Sequence, residues 1–233
     1  MTPVHRLALV LLLAGTAAGQ ARAADARHPV VVELFQAQGC SSCPPANANL
    51  MAIAGRPDVL ALAFQVTYWD DLGWKDTFAR PQFTARQWDY ARAWQHANVF
   101  TPQVVVNGRK DGVGADPGEF RSLLRAGERG AGGPAVELAA GQARIGAGPA
   151  PPRPADVWLV RYDPRILQVP VNRGENRGKT LPHRNVVRQL IRLGAWRGRP
   201  ESLRLPAGGD PAWRSAVLLQ LPKGGPILAA AKG

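Results

Sequence analysis

Two cysteines at the junction between a predicted strand and a predicted helix constrain this chain more than any other feature. Residues 40–43 read Cys-Ser-Ser-Cys, and the chain contains 2 cysteines in total. A short apolar, β-branched run over residues 30–35 precedes the motif and is typical of a strand covered on both faces. Pro44 and Pro45 follow it and favour the first turn of a helix over residues 46–54. The motif therefore lies where a strand passes into a helix N-terminus.

The position of the two thiols predicts a redox-active pair. Backbone N–H groups and the positive end of the dipole at a helix N-terminus favour a thiolate, so Cys40 is the expected accessible nucleophile. Cys43 is the expected resolving cysteine, which attacks a mixed disulfide at Cys40 and releases the substrate. Ser41 and Ser42 are expected to hydrogen-bond the Cys40 sulfur where the substrate binds. A crosslink this short closes too small a loop to stabilise a fold greatly, which favours reactivity.

Strands and helices alternate along the rest of the first half of the chain. After the first helix we predict strands over residues 59–66, 103–106 and 112–114, and helices over residues 82–97 and 117–129. The resulting order, a parallel crossover followed by an antiparallel hairpin and a helix, is the plan of the thioredoxin fold. We therefore predict an α/β thioredoxin-like domain over residues 24–130.

Three further residues extend the predicted site. Pro102 comes directly before the third strand, where thioredoxin-like proteins place a cis proline facing the disulfide. The Thr101 backbone would then pair with an extended substrate segment, whereas the alternative for Pro102 is an ordinary strand-edge proline. Glu33 is a carboxylate inside a buried run. It would carry a proton for Cys43 during exchange, or instead pair with an arginine or lysine.

A loop rich in aromatic side chains follows the second strand, over residues 67–76. Trp69 and Trp74 lie beyond the carboxyl end of that strand, the edge where sheets of this kind carry their sites. We predict that they form one wall of a substrate groove. The alternative is that they close the core beneath the loop.

The character of the chain changes after a glycine-dense stretch at residues 127–133, which we interpret as a domain boundary. Residues 131–233 contain short apolar runs separated by Pro and Gly, a spacing that favours a mostly β, antiparallel sandwich-like domain. One of these runs, residues 186–193, is alternatively a helical turn. Residues 174–188 are rich in polar side chains and predict either a ligand site or a structured loop that grips the other domain.

The N-terminus indicates export. His5 and Arg6 precede an apolar run over residues 7–18, and residues 21–23 read Ala-Arg-Ala, the pattern of a secretory signal peptide over residues 1–23. The apolar run is too short to span a bilayer, so no stable membrane insertion is expected. The mature protein is predicted to be secreted or periplasmic.

Basic side chains outnumber acidic ones, with 29 Lys and Arg against 17 Asp and Glu and a formal charge of +12. The arginines are scattered among Gly and Pro, so no nucleic-acid partner is expected. The sequence contains no phosphate-binding loop, no Gly-x-Ser-x-Gly elbow and no His-Glu-x-x-His helix. We therefore expect no cofactor.

Several longer motifs resemble one family. They are ELF at residues 33–35, QGCSSCPPA at 38–46, YWD at 68–70, LGWKD at 72–76, TPQ at 101–103, GENRGKTL at 174–181 and HRNVVR at 183–188. Together they are similar to the bacterial secreted proteins of the DUF1223 family, which is grouped with the thioredoxin-like superfamily. The resemblance covers nearly the whole mature chain and implies a fold and a location but no established activity.

Three functions fit this pattern. The first, which we expect, is a thiol-disulfide oxidoreductase that acts on protein thiols or disulfides of the cell envelope. The second is a soft-metal site in which the two thiolates hold Cu(I), with His183 or His96 as a further ligand. No histidine is spaced against the cysteines, so no metal is expected. The third is a binding module that keeps its disulfide without turnover.

Overall fold

The computed structural model describes residues 23–233, which form a mixed α/β structure of three α-helices and thirteen strands. The helices are α1 Cys43–Ile53, α2 Pro81–Ala93 and α3 Pro117–Ala126. The strands are β1 Val30–Gln36, β2 Val59–Gln65, β3 Gln103–Val106, β4 Lys110–Gly112, β5 Val136–Ala139, β6 Gln142–Ile145, β7 Ala155–Asp163, β8 Leu167–Pro170, β9 Thr180–His183, β10 Val186–Trp196, β11 Glu201–Arg204, β12 Arg214–Gln220 and β13 Ile227–Lys232. Within residues 23–233, no helix has the length and apolar character that crossing a membrane requires. All but the last residue of the predicted signal peptide lie outside the described residues.

Eight strands form one mixed sheet in the order β13-β12-β7-β10-β2-β1-β3-β4. β1 and β2 run parallel, with Val30 opposite Val59 and Gln36 opposite Gln65, whereas β3 is antiparallel to β1 and β4 to β3. Every residue of β1 and β2 is buried. The predicted order of strands and helices in the first half of the chain is therefore confirmed, as is the prediction that its first strand is covered on both faces.

Side chains that alternate along β1 reach opposite faces of the sheet. Leu34 belongs to a core cluster with Leu50 of α1 and Phe120 of α3. Phe35 lies in a second core cluster, where its ring meets that of Tyr90 of α2 edge to face, with 6.1 Å between the centroids. The first helix thus packs on one face of the sheet and α2 on the other. This arrangement places the N-terminus of α1 at the carboxyl end of β1.

The second half of the chain extends this sheet. β10 pairs with β2 in parallel, with Val186 opposite Ala63, and β7, β12 and β13 continue outwards in antiparallel pairs. A three-stranded sheet, β11-β6-β5, packs on the extension through an apolar cluster that includes Ile145, Val157 and Trp196. The prediction of a mostly β second half is confirmed. In place of the separate antiparallel sandwich, the structure has an extension of the first sheet with one small sheet upon it.

Pairing across the two halves accounts for this difference. Without β10, the edge of β2 would leave backbone N–H and C=O groups without partners in the middle of the core. The N–H of Ala63 donates to Asn185 O at 3.0 Å instead. Residues 186–193 are strand, so the helical alternative is wrong. The division into residues 24–130 and 131–233 stays a prediction, and the large sheet is common to both ranges.

β8 and β9 form a separate two-stranded sheet, a hairpin that packs against α1. In the hairpin, Leu167 of β8 lies opposite His183 of β9, and Asn47 Nδ2 of α1 donates to Pro182 O at 2.7 Å. We call residues 171–179, which join β8 to β9, the hairpin tip. Backbone bonds from Val171 N–H to Lys179 O and from Gly178 N–H to Val171 O close the tip. It reaches the Cys-Ser-Ser-Cys motif.

Candidate functional site

Cys40 and Cys43 form a disulfide where α1 begins, with their Cα atoms 5.5 Å apart. The turn between β1 and α1 is held by a bond from the Cys43 N–H to Cys40 O at 3.3 Å. Ser42 Oγ lies 3.2 Å from Cys40 Sγ, the contact that the sequence predicts. Ser41 takes part differently, because its backbone N–H donates to Glu175.

Thr101 lies against both sulfurs. Its carbonyl oxygen is 3.8 Å from Cys40 Sγ, and its Oγ1 is 3.1 Å from Cys43 Sγ. The Thr101-Pro102 peptide bond is cis, and Pro102 is buried directly before β3. The predicted cis bond and its place beside the disulfide are therefore confirmed. Pairing of the Thr101 backbone with a substrate stays a prediction.

The two cysteines are buried, and the hairpin tip packs against the backbone of the motif. Cys40 is 0% exposed and Cys43 2% exposed. Asn176 is buried between the tip and the motif, and its Nδ2 donates to Cys40 O at 2.8 Å and to Gln38 O at 2.9 Å. The expectation that Cys40 is accessible is wrong for this arrangement, because Cys40 packs in the core cluster and Asn176, distant in sequence, contacts its backbone.

Glu175 brings a negative charge to the N-terminus of α1. Its Oε2 accepts the Ser41 N–H at 2.9 Å, and hydrogen bonds from Ser41 hold the pKa of Glu175 below its usual value. A carboxylate is stabilised at this end of a helix by the free N–H groups and the helix dipole. A thiolate at Cys40 would draw on the same groups, so Glu175 and Cys40 compete for one favourable position.

Trp74 forms a wall of the site, and Trp69 borders it. Trp74 Nε1 donates to Gln38 Oε1 at 2.9 Å. Gly174 of the hairpin tip has a φ of +74°, and a Cβ there would lie 3.4 Å from Trp74 Cβ, so a residue without a side chain suits this contact. Trp69 packs on the core cluster that contains both cysteines. The aromatic loop thus lines the covered motif, and Trp69 also closes the core as the alternative predicted.

The Asp76 side chain connects the turn before the motif to the aromatic loop through hydrogen bonds. Its Oδ2 accepts the Gln38 N–H at 2.7 Å and its Oδ1 the Phe78 N–H at 2.8 Å. Burial raises the pKa of Asp76 to about 6. The sequence did not single out Asp76, Glu175 or Asn176 as site residues. The signals for the last two were the GENRGKTL motif at residues 174–181 and the polar stretch over residues 174–188 that contains it, for which a loop gripping the other half was one of the alternatives.

Glu33 forms a buried ion pair. Arg86 Nε donates to its Oε1 at 2.6 Å, and the Tyr90 hydroxyl donates to its Oε2. The predicted alternative, pairing with a basic side chain, is confirmed. Within residues 23–233 no hydrogen bond joins Glu33 to either cysteine, so its role as a proton carrier stays a prediction.

The two histidines considered as metal ligands lie in different surroundings. His183 Nδ1 is 3.4 Å from Gln65 Nε2, and burial lowers the pKa of His183 to about 4. His96 Nδ1 is 3.7 Å from Asp111 Oδ2. In the part of the chain that the structure describes, no three His, Cys, Asp or Glu side chains are grouped so as to hold a metal ion.

Comparison with known proteins relates the chain to one family. No curated protein matches the sequence. A crystal structure of a protein from Agrobacterium tumefaciens is similar, with 33% identity and a TM-score of 0.71 over 91% of this chain and 95% of that one. HBP35 of Porphyromonas gingivalis has 13% identity and a TM-score of 0.58 over 89% of this chain and 75% of that one, a likeness of fold alone. The family described as "Protein of unknown function (DUF1223)" matches residues 31–220, and the chain belongs to it.

Proposed function

We propose that this protein is an exported, thioredoxin-like thiol-disulfide oxidoreductase that acts on protein thiols or disulfides of the cell envelope. The observation that carries the proposal is the contact of Thr101 with both sulfurs of a disulfide at a helix N-terminus, at 3.8 Å from Cys40 and 3.1 Å from Cys43. Such a position supplies what thiol exchange requires, namely a stabilised thiolate and a neighbouring thiol that resolves the mixed disulfide.

The order of elements supports the thioredoxin-like assignment. β1, α1 and β2 form a parallel crossover, and β3, β4 and α3 follow as an antiparallel hairpin and a helix. The motif occupies the turn from β1 to α1, and Pro102 precedes β3, as that fold places them. Export is supported by the basic and apolar pattern at the N-terminus of the sequence.

Thr101 also supports a division of labour between the sulfurs. Its hydroxyl donates to Phe35 O at 3.3 Å, which leaves the oxygen free to accept a hydrogen bond from Cys43. Reduced Cys43 would thus be held as a thiol, because Thr101 offers its sulfur an acceptor. Cys40 instead lies beside the Ser42 hydroxyl at 3.2 Å, a donor that favours the thiolate. This asymmetry supports Cys40 as the nucleophile and Cys43 as the resolving residue.

The reaction is a pair of exchanges. Because Cys40 is buried in the disulfide form, exchange requires the hairpin tip to move away first. A substrate thiolate then attacks Cys40 Sγ, a bond forms between the substrate sulfur and Cys40, and the bond to Cys43 breaks to leave a thiolate that takes up a proton. A second substrate thiolate then attacks the substrate sulfur of the mixed disulfide, giving the substrate disulfide and the Cys40 thiolate. Reduction of a substrate is the same sequence in reverse.

The proposal is tested by measuring exchange directly. Purified mature protein should accelerate the oxidation or reduction of a model dithiol protein, and equilibration in glutathione buffers should give a defined reduction potential for the pair. Wild-type protein that leaves the rate of the uncatalysed exchange unchanged would contradict the proposal.

Glu175→Gln should make Cys40 more reactive. Removing the carboxylate leaves the N-terminal groups of α1 to the thiolate alone, so the pH midpoint of Cys40 alkylation in reduced protein should fall by roughly half a unit. The measurement is the rate of iodoacetamide labelling across a pH series. Solvent screens the effect, because Glu175 is exposed.

Two further variants distinguish the effect of the Glu175 charge from the effect of burial of Cys40 beneath the hairpin tip. Glu201→Gln removes the same charge from an exposed position in β11 and should leave the midpoint unchanged. Asn176→Ala removes the two hydrogen bonds that seat the hairpin tip, so it should speed labelling at every pH without moving the midpoint. An unchanged midpoint in Glu175→Gln would show that Glu175 does not compete with the thiolate.

A further inference from the structure

A cavity of about 410 Å³ opens at the C-terminal end of α1. Its wall is formed by the end of α1, the turn after β7, the turn between β9 and β10, the start of β12 and the end of β13. Because α1 has 11 residues, its two ends are about 16 Å apart, and the disulfide lies at the other end. The cavity is therefore separate from the site proposed for thiol exchange.

Five basic side chains line this cavity, and within residues 23–233 no Asp or Glu side chain does. Two of the five are neutralised by neighbouring carboxylates. Arg56 Nε and Nη2 donate to the two carboxylate oxygens of Asp58 at 3.1 and 2.6 Å. Arg165 donates to Asp163 in the same way, at 2.8 and 2.6 Å. The positive charge that remains is that of the other three basic side chains.

Those three are Arg184, Arg214 and Lys232, and they have no carboxylate partner. In the part of the chain that the structure describes, none of them takes part in an ion pair. The carboxyl group of Gly233, which also lines the cavity, forms no ion pair with them either. The wall is mostly polar, and its unpaired charges are positive.

These cations come together from segments that are distant in sequence. A Cβ at Gly55 would lie 3.9 Å from Arg184 Nη1, so this guanidinium reaches the end of α1. Lys232 Nζ donates to Arg56 O at 3.0 Å and to Val59 O at 2.8 Å. An ammonium group has three N–H donors, so one of them stays available for another acceptor.

Like charges this close disfavour one another. Partial burial lowers the pKa of Lys232, and the Arg214 charge lowers it further, whereas Asp58 acts in the opposite direction. The Arg214 charge also acts on the Tyr162 hydroxyl, which lines the same cavity. An anion placed between the cations would relieve their repulsion and favour the charged form of Lys232.

The donors present here match an oxyanion with several charges. A guanidinium offers parallel N–H groups to two oxygens of one phosphate, and an ammonium group binds phosphate as a point charge. Three unpaired cations around one cavity are best balanced by two or three negative charges in a small volume. A diphosphate supplies such a charge density, whereas a single carboxylate does not.

We infer that the cavity at the C-terminal end of α1 binds a multiply charged phosphate group through Arg184, Arg214 and Lys232. The group belongs either to a small soluble phosphate compound or to the headgroup of a lipid, since both present the same oxygens. Binding requires neither a free thiol nor turnover. The inference therefore goes beyond the proposed function and does not depend on it.

Lys232 offers a local readout. The chain contains five lysines, so ¹³C-lysine labelling gives five Cε signals, and Lys232→Arg assigns the relevant one. Inorganic pyrophosphate, titrated into the disulfide form at about 0.15 M salt, should shift the Lys232 signal saturably. Methanesulfonate carries a single charge and should bind at least roughly tenfold more weakly.

Variants separate this site from the overall positive charge of the protein. The double variant Arg184→Gln, Arg214→Gln removes two cavity charges and should weaken pyrophosphate binding at least roughly tenfold. Arg197→Gln, Arg199→Gln removes two charges from exposed positions after β10, so it has the same net charge and should change the affinity less than about twofold. Arg214→Gln alone, at an exposed position, should weaken binding roughly threefold and covers the case in which the double variant does not fold.

Vesicles distinguish the two sources of phosphate. If a lipid headgroup is the ligand, phosphatidylcholine vesicles that contain phosphatidic acid should sediment wild-type protein and the Arg197→Gln, Arg199→Gln variant but not the Arg184→Gln, Arg214→Gln variant. If the two variants sediment alike while pyrophosphate still binds at the cavity, the ligand is a soluble phosphate compound.

Three results would overturn the inference, and none depends on thiol exchange. One is a Lys232 signal that does not shift saturably with pyrophosphate. Another is wild-type protein that binds methanesulfonate as tightly as pyrophosphate. The third is an equal loss of pyrophosphate affinity in the two double variants. A protein that binds pyrophosphate at this cavity but lacks exchange activity would refute the proposed function alone.

Discussion

Cys43→Ser should turn brief encounters at Cys40 into mixed disulfides that persist. The substitution keeps a hydrogen-bonding group beside Thr101 Oγ1, which lies 3.1 Å from the Cys43 sulfur, so the fold should be retained. Cys40 remains as a nucleophile, but no neighbouring thiol releases the captured partner. Turnover should be abolished, and Cys40-linked adducts should appear on non-reducing gels of envelope extracts.

The controls distinguish the three functions. The adducts should vanish when Cys40 is also replaced by Ser, and Asn176→Ala in the Cys43→Ser background should increase them by loosening the hairpin tip. A Cu(I) carrier would lose its metal with either single cysteine substitution and would trap nothing. An inert disulfide would neither trap partners nor catalyse exchange. Absence of any Cys40-dependent adduct, together with inactive wild-type protein, would leave the binding module as the better account.

Arg86→Met should destabilise the protein by about 3–5 kcal/mol, the usual cost of breaking a buried ion pair by removing one partner. The Arg86 and Glu33 side chains are 5% and 0% exposed, and the substitution would leave the carboxylate with Tyr90 as its remaining donor. Tyr90 also accepts a bond from Gln220 of β12, so the damage should reach the second half of the chain. The measurement is the free energy of unfolding in urea.

An exposed ion pair on the surface provides the comparison for the loss of the buried one. Arg92→Met removes the partner of Asp89 from an exposed ion pair and should cost less than about 1 kcal/mol. The double variant Glu33→Gln, Arg86→Met removes both buried charges and should recover much of the loss. A single Arg86→Met variant as stable as Arg92→Met would show that Glu33 is not held by this pair.

The region from β1 to α1 could be predicted because several local signals agree there. A continuous apolar run, a turn and two prolines each favour the same order of elements, and α1 begins at Cys43, three residues before the predicted start. Pro102 was identified by its position before β3. These features depend on neighbours in sequence, which a single sequence contains.

Three strands of the second half gave weaker signals. β13 has the sequence ILAAAK, and alanine has little preference for strands, so its extended form depends on packing against β12. β9 contains Pro182, which argues against a strand in the absence of other information. β6 has four residues, too few to show a clear period. Each is specified by contacts that form only in the folded chain.

The hairpin tip could not have been placed over the motif from sequence. Asn176 and Cys40 are 136 positions apart. No local sequence pattern indicates that these two distant segments pack together. The partner of Glu33 could not be predicted from sequence either. A buried carboxylate requires a partner, but the sequence does not show which basic side chain pairs with it. Arg86 is one of many arginines that would satisfy it by charge.

The shared edge between β2 and β10 limits how this family can be rearranged in evolution. A gene fusion or deletion that kept residues 24–130 alone would leave β2 as an open edge, with a buried, apolar strand facing solvent. Such an edge pairs readily with another chain and promotes aggregation. The two halves should therefore be inherited together, and recombination at the glycine-dense stretch should be tolerated only when the incoming half supplies its own strand to close β2.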